Sequence, residues 1–66
     1  MEPFLERMVE ELNELVVKVM KLESFMDSPK FNQLGVTEQR LLLTQRVGMD
    51  LYKNALELRL GYYEQH

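Results

Sequence analysis

Sixty-six residues hold at most one small domain, able to bury only about 60% of its unfolded surface. With no cysteine there is neither a disulfide framework nor a thiolate metal site to thicken so thin a core, which leaves oligomerisation as the usual route to stability. Eleven acidic against eight basic residues, a net charge of −3, exclude the basic footprint of a DNA- or RNA-binding domain, and the one histidine, His66, is terminal.

The chain opens Met1-Glu2-Pro3-Phe4, with Glu6, Glu10 and Glu11 close behind, the reverse of a secretory signal's basic start. Apolar runs such as Leu15-Val16-Val17 are far too short for a bilayer, so no membrane partner is expected.

A first helix is predicted over about residues 3–26. Pro3 suits the first helical position, where its missing N–H costs nothing, and Glu2 and Glu6 favour the positive end of the helix dipole. Leu5, Met8, Leu12, Leu15, Val19, Leu22 and Met26 recur at steps of 3 and 4, a heptad stripe widened by Phe4, Phe25, Val9 and Val16. Glu14 and Lys18 form an i, i+4 pair in the favourable order.

Asp27-Ser28-Pro29 ends this helix. Ser28 is placed to cap a short turn over about 29–34 that begins at Pro29, and Gly35 to close it in a left-handed conformation. Phe31 and Leu34, three apart, would plug the end of the fold.

The second helix is predicted over about 38–63, with Thr37 as N-cap and Val36 and Leu41 as a hydrophobic staple. Wound at about 100° per residue, it has a polar arc of Arg46, Asp50, Lys53, Asn54, Glu57 and Glu64. The remainder is an apolar arc of roughly 200°, twice what one amphipathic contact needs. The fold class is therefore all-α: an antiparallel two-helix hairpin with a short helical turn in its connector, assembling into a homo-oligomeric bundle. Gly48 costs about 1 kcal/mol in a helix interior, so a close helix approach is expected there, with Ala55 keeping the same face small.

Three polar residues, Gln45, Tyr52 and Arg59, stand seven apart beside the seam Leu42, Met49, Leu56 and Tyr63, on a face expected to be buried. Two readings compete. As a structural layer, the row sets register, with Arg59 paired to Glu6 or Glu11. As a ligand pocket at a subunit interface, Arg59 holds an anion in its planar fork, Tyr52 stacks on a base and Gln45 reads an edge. Arg7, Lys18 and Lys21 share one edge of the first helix. They are either a solvated flank paired with Glu11, Glu14 and Glu23, or the basic wall of the same pocket. Glu10, Glu11 and Glu14 lack the histidines of a di-iron bundle, so neither a metal nor a cofactor is expected, and the methionines read as core filler. No phosphate loop, nucleophile–base pair or zinc spacing is present, and the chain is read as no enzyme.

The pattern Arg7-Met8, Glu11, Leu15, Lys18, Lys21-Leu22, Phe25, Ser28, Phe31, Leu34, Glu38-Gln39, Leu42, Gln45, Met49, Tyr52, Leu56 and Arg59 spans nearly the whole chain. It resembles a family of small bacteriophage proteins common in tailed phages, crAss-like phages included. The resemblance implies an accessory protein of the host bacterial cytoplasm. Helical phage oligomers of this kind include anti-defence sponges. These hold nucleotide second messengers of host immunity, such as cyclic oligonucleotides or cyclised ADP-ribose, between subunits and do no chemistry. With the polar row, it points to sequestration at subunit interfaces, Arg59 and Tyr52 central and Gln45, Arg7, Lys18 and Lys21 around them. The alternative is a protein-binding module that blocks or bridges a host protein through an exposed apolar face at Val47, Leu51 and Leu58.

Overall fold

The structure, a computed structural model, describes residues 2–65, and His66 lies outside them. The described chain is all-helical: α1 Pro3–Met26, α2 Pro29–Gln33 and α3 Val36–Gln65. Pro3 opens α1, and the Glu2 carbonyl accepts from the N–H groups of Leu5 and Glu6, both at 3.0 Å. The Asp27 N–H reaches back to the Glu23 carbonyl at 3.0 Å and closes the helix.

The connector departs from expectation in its hydrogen bonds. Ser28 does precede Pro29, but its hydroxyl donates backward to the Phe25 carbonyl at 2.5 Å, tying off α1 and not capping α2. Gly35 does not take a left-handed conformation; the chain leaves α2 through extended Leu34. Helix α3 then starts at Val36, one residue before the expected Thr37 cap, because the Gly35 carbonyl already accepts from the Gln39 N–H at 3.0 Å. Val36 and Leu41 form no staple, and both stay exposed.

Gln39 is what fastens the connector. Its side-chain amide donates to the carbonyls of Phe31, at 3.0 Å, and Leu34, at 3.1 Å. Phe31 then meets Phe25 edge-on with ring centroids 6.3 Å apart, so half-buried Phe31 and Leu34 cover this end of the fold while most of the connector stays exposed.

Helices α1 and α3 run side by side in opposite directions. At one end the rings of Phe4 and Tyr63 meet edge to face, 5.1 Å apart; near the other, Arg46 Nη2 lies 2.8 Å from Glu23 Oε1. The result is a rod of 47 × 15 × 14 Å. Its core is slight: among the described residues Met8, Leu15 and Val19 from α1 and Leu56 from α3 are the buried apolar ones, and of these only Leu56 is sealed, at 1% exposure. Such a core leaves most of the apolar surface of α3 without a partner.

The face α3 turns to α1 is not the centre of its apolar arc. Leu42, Arg46, Met49, Lys53, Leu56 and Leu60 make the contact, alternating steps of 4 and 3, and each is half-buried or buried. Arg46 and Lys53, expected in the solvent arc, thus stand in the seam. Their long alkyl stems pack while the charged heads reach Glu23 and Asp50, and Glu57, at its rim. Leu41, Val47, Leu51, Leu58 and Tyr62 are left outside.

Candidate functional site

Gln45, Tyr52 and Arg59 each stand one residue before a member of that seam, Arg46, Lys53 and Leu60. One residue is about 100° of rotation on a helix, so the row sits at the edge of the contact face, not within it. All three side chains are exposed in the single chain, so α1 does not cover them and the row is left for a partner copy or a ligand to bury. The physical reason is the rotation of α3 toward its Arg46–Lys53 edge, where the charged heads find partners.

Arg7, Lys18 and Lys21 are likewise exposed, on the edge of α1 opposite Val9, Val16 and Glu23. The Glu23–Arg46 ion pair marks one side of the rod. The polar row and the basic set both lie on the edges turned away from it, and so share the other side. Pairing Phe4 with Tyr63 and Glu23 with Arg46 also fixes the levels. Arg59 falls level with Met8 to Glu10, Tyr52 with Leu15 to Val17, and Gln45 with Leu22 to Ser24. Each member of the row therefore has one α1 cation within a turn: Arg7, Lys18 and Lys21 in that order. Successive levels are about 10 Å apart at 1.5 Å per residue.

Charge is distributed unequally between the two sides. Among the described residues, all the ion pairs (Arg46 with Glu23 and Asp50, Lys53 with Glu57) lie on the side away from the row. Arg7, Lys18, Lys21 and Arg59 have none. The expected pairing of Arg59 with Glu6 or Glu11 does not form, and Glu23, foreseen as a partner of the basic set, is taken by Arg46. Glu11 and Glu14 share this flank but leave its cations unpaired.

The flank combines guanidinium forks and ammonium groups, which suit phosphate, with a phenol face for stacking and an amide for edge recognition. It is open. One wall is α1 and the floor is the row, but where the other wall should rise, α3 presents only its bare outer face. The hollows of the rod lie elsewhere. One is at the connector, lined by Met26, Phe31, Val36 and Leu43; a second, beside it, by Leu34, Glu38, Leu41 and Leu42; a third, at the far end, by Leu5, Val9, Leu60 and Tyr63.

Gly48 adds to this picture. A Cβ built on it meets nothing within 4 Å, so the close approach expected there is not made by α1. Glu38 and Gln39, both near the start of α3, belong to the sequence pattern above, but neither was expected to make a tertiary contact. The signal for Gln39 was weak, since its two acceptors are main-chain carbonyls that no side-chain pattern reveals.

A family model described as Sequestin matches residues 2–62. The chain is also 36% identical over 58 residues to the "Uncharacterized 7.5 kDa protein in denB-rIIB intergenic region" of Enterobacteria phage T4, an alignment that covers 88% of this chain and 91% of that protein. No solved structure matches.

Proposed function

The chain belongs to the Sequestin family of small phage proteins, and from that membership we propose that it is a non-enzymatic anti-defence protein that sequesters a nucleotide-type immune messenger in the host cytoplasm. The family's name suggests sequestration, and a phage relative sets the biological context. The observation that carries the nucleotide reading is the flank itself: four cations that make no ion pair within the chain, a tyrosine and a glutamine, arranged in three levels along one side of the rod. A cyclic oligonucleotide or cyclised ADP-ribose presents phosphates to Arg59, Arg7, Lys18 and Lys21, a base to Tyr52 and a polar edge to Gln45. Because one wall is missing, the pocket is completed between copies in a homo-oligomer.

Calorimetric titration of the protein with cyclic di- and trinucleotides and cyclic ADP-ribose isomers tests this. Saturable binding of at least one member is expected, with the ligand recovered intact after the protein is denatured. Tyr52→Ala and Lys18→Ala should each weaken that binding by about tenfold or more, the loss of one stacking or charge-assisted contact. Absence of heat with every member refutes the proposal, and recovery of a cleaved ligand refutes its non-enzymatic part.

A second reading has its own observation. Val47, Leu51 and Leu58 are 52%, 66% and 75% exposed and share one face of α3. A host protein bound in a helix-in-groove mode would cover them. Isolation of the protein as a monomer that buries this patch only on adding the host partner would favour that reading.

A further inference from the structure

We infer that the outer face of α3 is covered by α3 of a second copy, running antiparallel, with Glu38 of each chain paired to Arg59 of the other. The inference rests on the proposed function only for what occupies the resulting groove.

The argument begins with spacing. Leu41, Thr44, Gly48, Leu51, Ala55 and Leu58 follow one another at steps of 3, 4, 3, 4 and 3, a second heptad seam on α3 that contains no charge. On a helix this seam lies nearly opposite the one that meets α1, and all six residues are exposed. The three leucines, Leu41, Leu51 and Leu58, are between 64% and 75% exposed. A rod with one sealed core residue does not leave such a stripe in water at no cost.

The order of sizes along the seam selects the partner and its direction. In an antiparallel two-fold pair, Leu41 meets Leu58, Thr44 meets Ala55 and Gly48 meets Leu51. Each layer then matches bulk to bulk, small to small, or a leucine to a glycine notch. In a parallel pair every residue meets its own counterpart, so Gly48 faces Gly48 across a void. The open space around Gly48 is thus a socket for Leu51 of the partner subunit.

Charge agrees with the antiparallel register. Glu38, Gln45, Tyr52 and Arg59 flank the seam on one edge. Flanking residues of an antiparallel pair face the same edge of the other chain, which puts Glu38 against Arg59 and Gln45 against Tyr52, twice each by symmetry. A parallel pair would set Arg59 against Asn54. Among the described residues neither Glu38 nor Arg59 has an ion pair of its own. Shape agrees as well: Leu34, Glu38, Leu41 and Leu42 line a hollow, apolar with one carboxylate, where the register lands Leu58 and Arg59 of the partner subunit. The partner's α3 supplies the wall the candidate site lacks. Arg59, with five donors, spans its carboxylate partner and the groove, so its loss weakens assembly as well as binding.

Two measurements without ligand test the interface. Because the chain has no cysteine, Thr44→Cys and Ala55→Cys can be prepared separately, both at exposed positions. Mixed under mild oxidation, the two variants should form a covalent heterodimer, while neither alone should cross-link. Cross-linking of Thr44→Cys with itself, or none in the mixture, overturns the register. In light scattering, the wild type should have an even-numbered mass. Glu38→Arg and Arg59→Glu should each weaken the association by about tenfold or more, and the double exchange should restore it. An unchanged mass in either single variant, or no recovery in the double, overturns the ion pair. Cross-linking in a protein that binds no nucleotide would refute the function and leave the interface standing; nucleotide binding without cross-linking would do the reverse.

Discussion

Gly48→Ala gives the sharpest measure of what touches α3, because its effect should change sign with protein concentration. Within one chain the substitution is free of steric cost. The glycine lies in the middle of α3, its φ is not positive, and an added methyl meets nothing within 4 Å. Alanine exceeds glycine by about 0.8–1.0 kcal/mol in a helix interior. In a chain of this size that gain raises the melting midpoint by about 4–8 °C. Once two α3 helices pair, the methyl enters the space taken by Leu51 of the partner subunit. Overpacking of that kind costs about 1–3 kcal/mol at each of the two symmetric contacts, against the gain of about 0.8–1.0 kcal/mol in each chain, so the penalty exceeds the gain. Thermal unfolding followed by circular dichroism over a wide concentration range separates the two terms. The variant should melt above the wild type when dilute and below it when concentrated. Gly61→Ala is the control: its Cβ position is equally open, but it lies off the second seam, so its gain should not depend on concentration. If both variants gain alike at every concentration, no helix approaches Gly48 and the glycine-notch argument fails.

Other consequences concern the single chain. Leu56→Ala removes the one sealed side chain and should cost about 2–5 kcal/mol, read as a fall in the urea midpoint; a cost below about 1 kcal/mol would place the core elsewhere. Gln39→Ala deletes two hydrogen bonds to the connector, at about 0.5–1.5 kcal/mol each, and should speed hydrogen exchange at Leu34 while sparing the middle of α1. Equal acceleration in both would mean that Gln39 does not act locally. Arg46→Met keeps the alkyl stem in the seam and loses only a half-exposed ion pair, so its cost should stay below about 1 kcal/mol and vanish in molar salt. A larger loss that salt does not reduce would show that the pair carries the seam.

What could be read from the sequence followed how many partners each helix has. Helix α1 packs along its length on α3 and touches α2 only at its end, and its single heptad stripe marks both its extent and its buried face through Met8, Leu15 and Val19. Helix α3 carries two seams on nearly opposite sides. Their sum is one broad arc whose centre belongs to neither, which is why Gln45, Tyr52 and Arg59 looked buried when they stand on the ridge between them. Arg46 and Lys53 were hidden for a related reason: a wheel scores them by their charged heads, whereas the seam uses their stems. The connector was misread at Thr37 and Gly35 because Gln39, a residue with no capping signature, gathers its carbonyls. For the candidate site, spacing within each helix put Gln45, Tyr52 and Arg59 on one edge and Arg7, Lys18 and Lys21 on another. That these two edges share one side of the rod followed only from the Glu23–Arg46 and Phe4–Tyr63 contacts.

The thin core and the open flank meet in the effect a ligand should have on stability. A molecule held between copies binds the folded assembly and not the unfolded chain, so it stabilises by RT ln(1 + [L]/Kd), about 2.7 kcal/mol at a ligand concentration of 100 Kd. In a protein this small that is a rise of roughly 10–20 °C at about 4–8 °C per kcal/mol. The cations of α1 allow the effect to be isolated. Arg7, Lys18 and Lys21 are exposed and make no ion pair, so replacing them with glutamine should leave the ligand-free midpoint nearly unchanged. The ligand-induced rise should shrink with each replacement and be lost in the triple variant. Thermal shift with a nucleotide that gives heat in calorimetry is the assay. A triple variant that keeps the full rise would mean that the phosphates lie against some other surface, and the flank would then be no more than the solvated edge of α1.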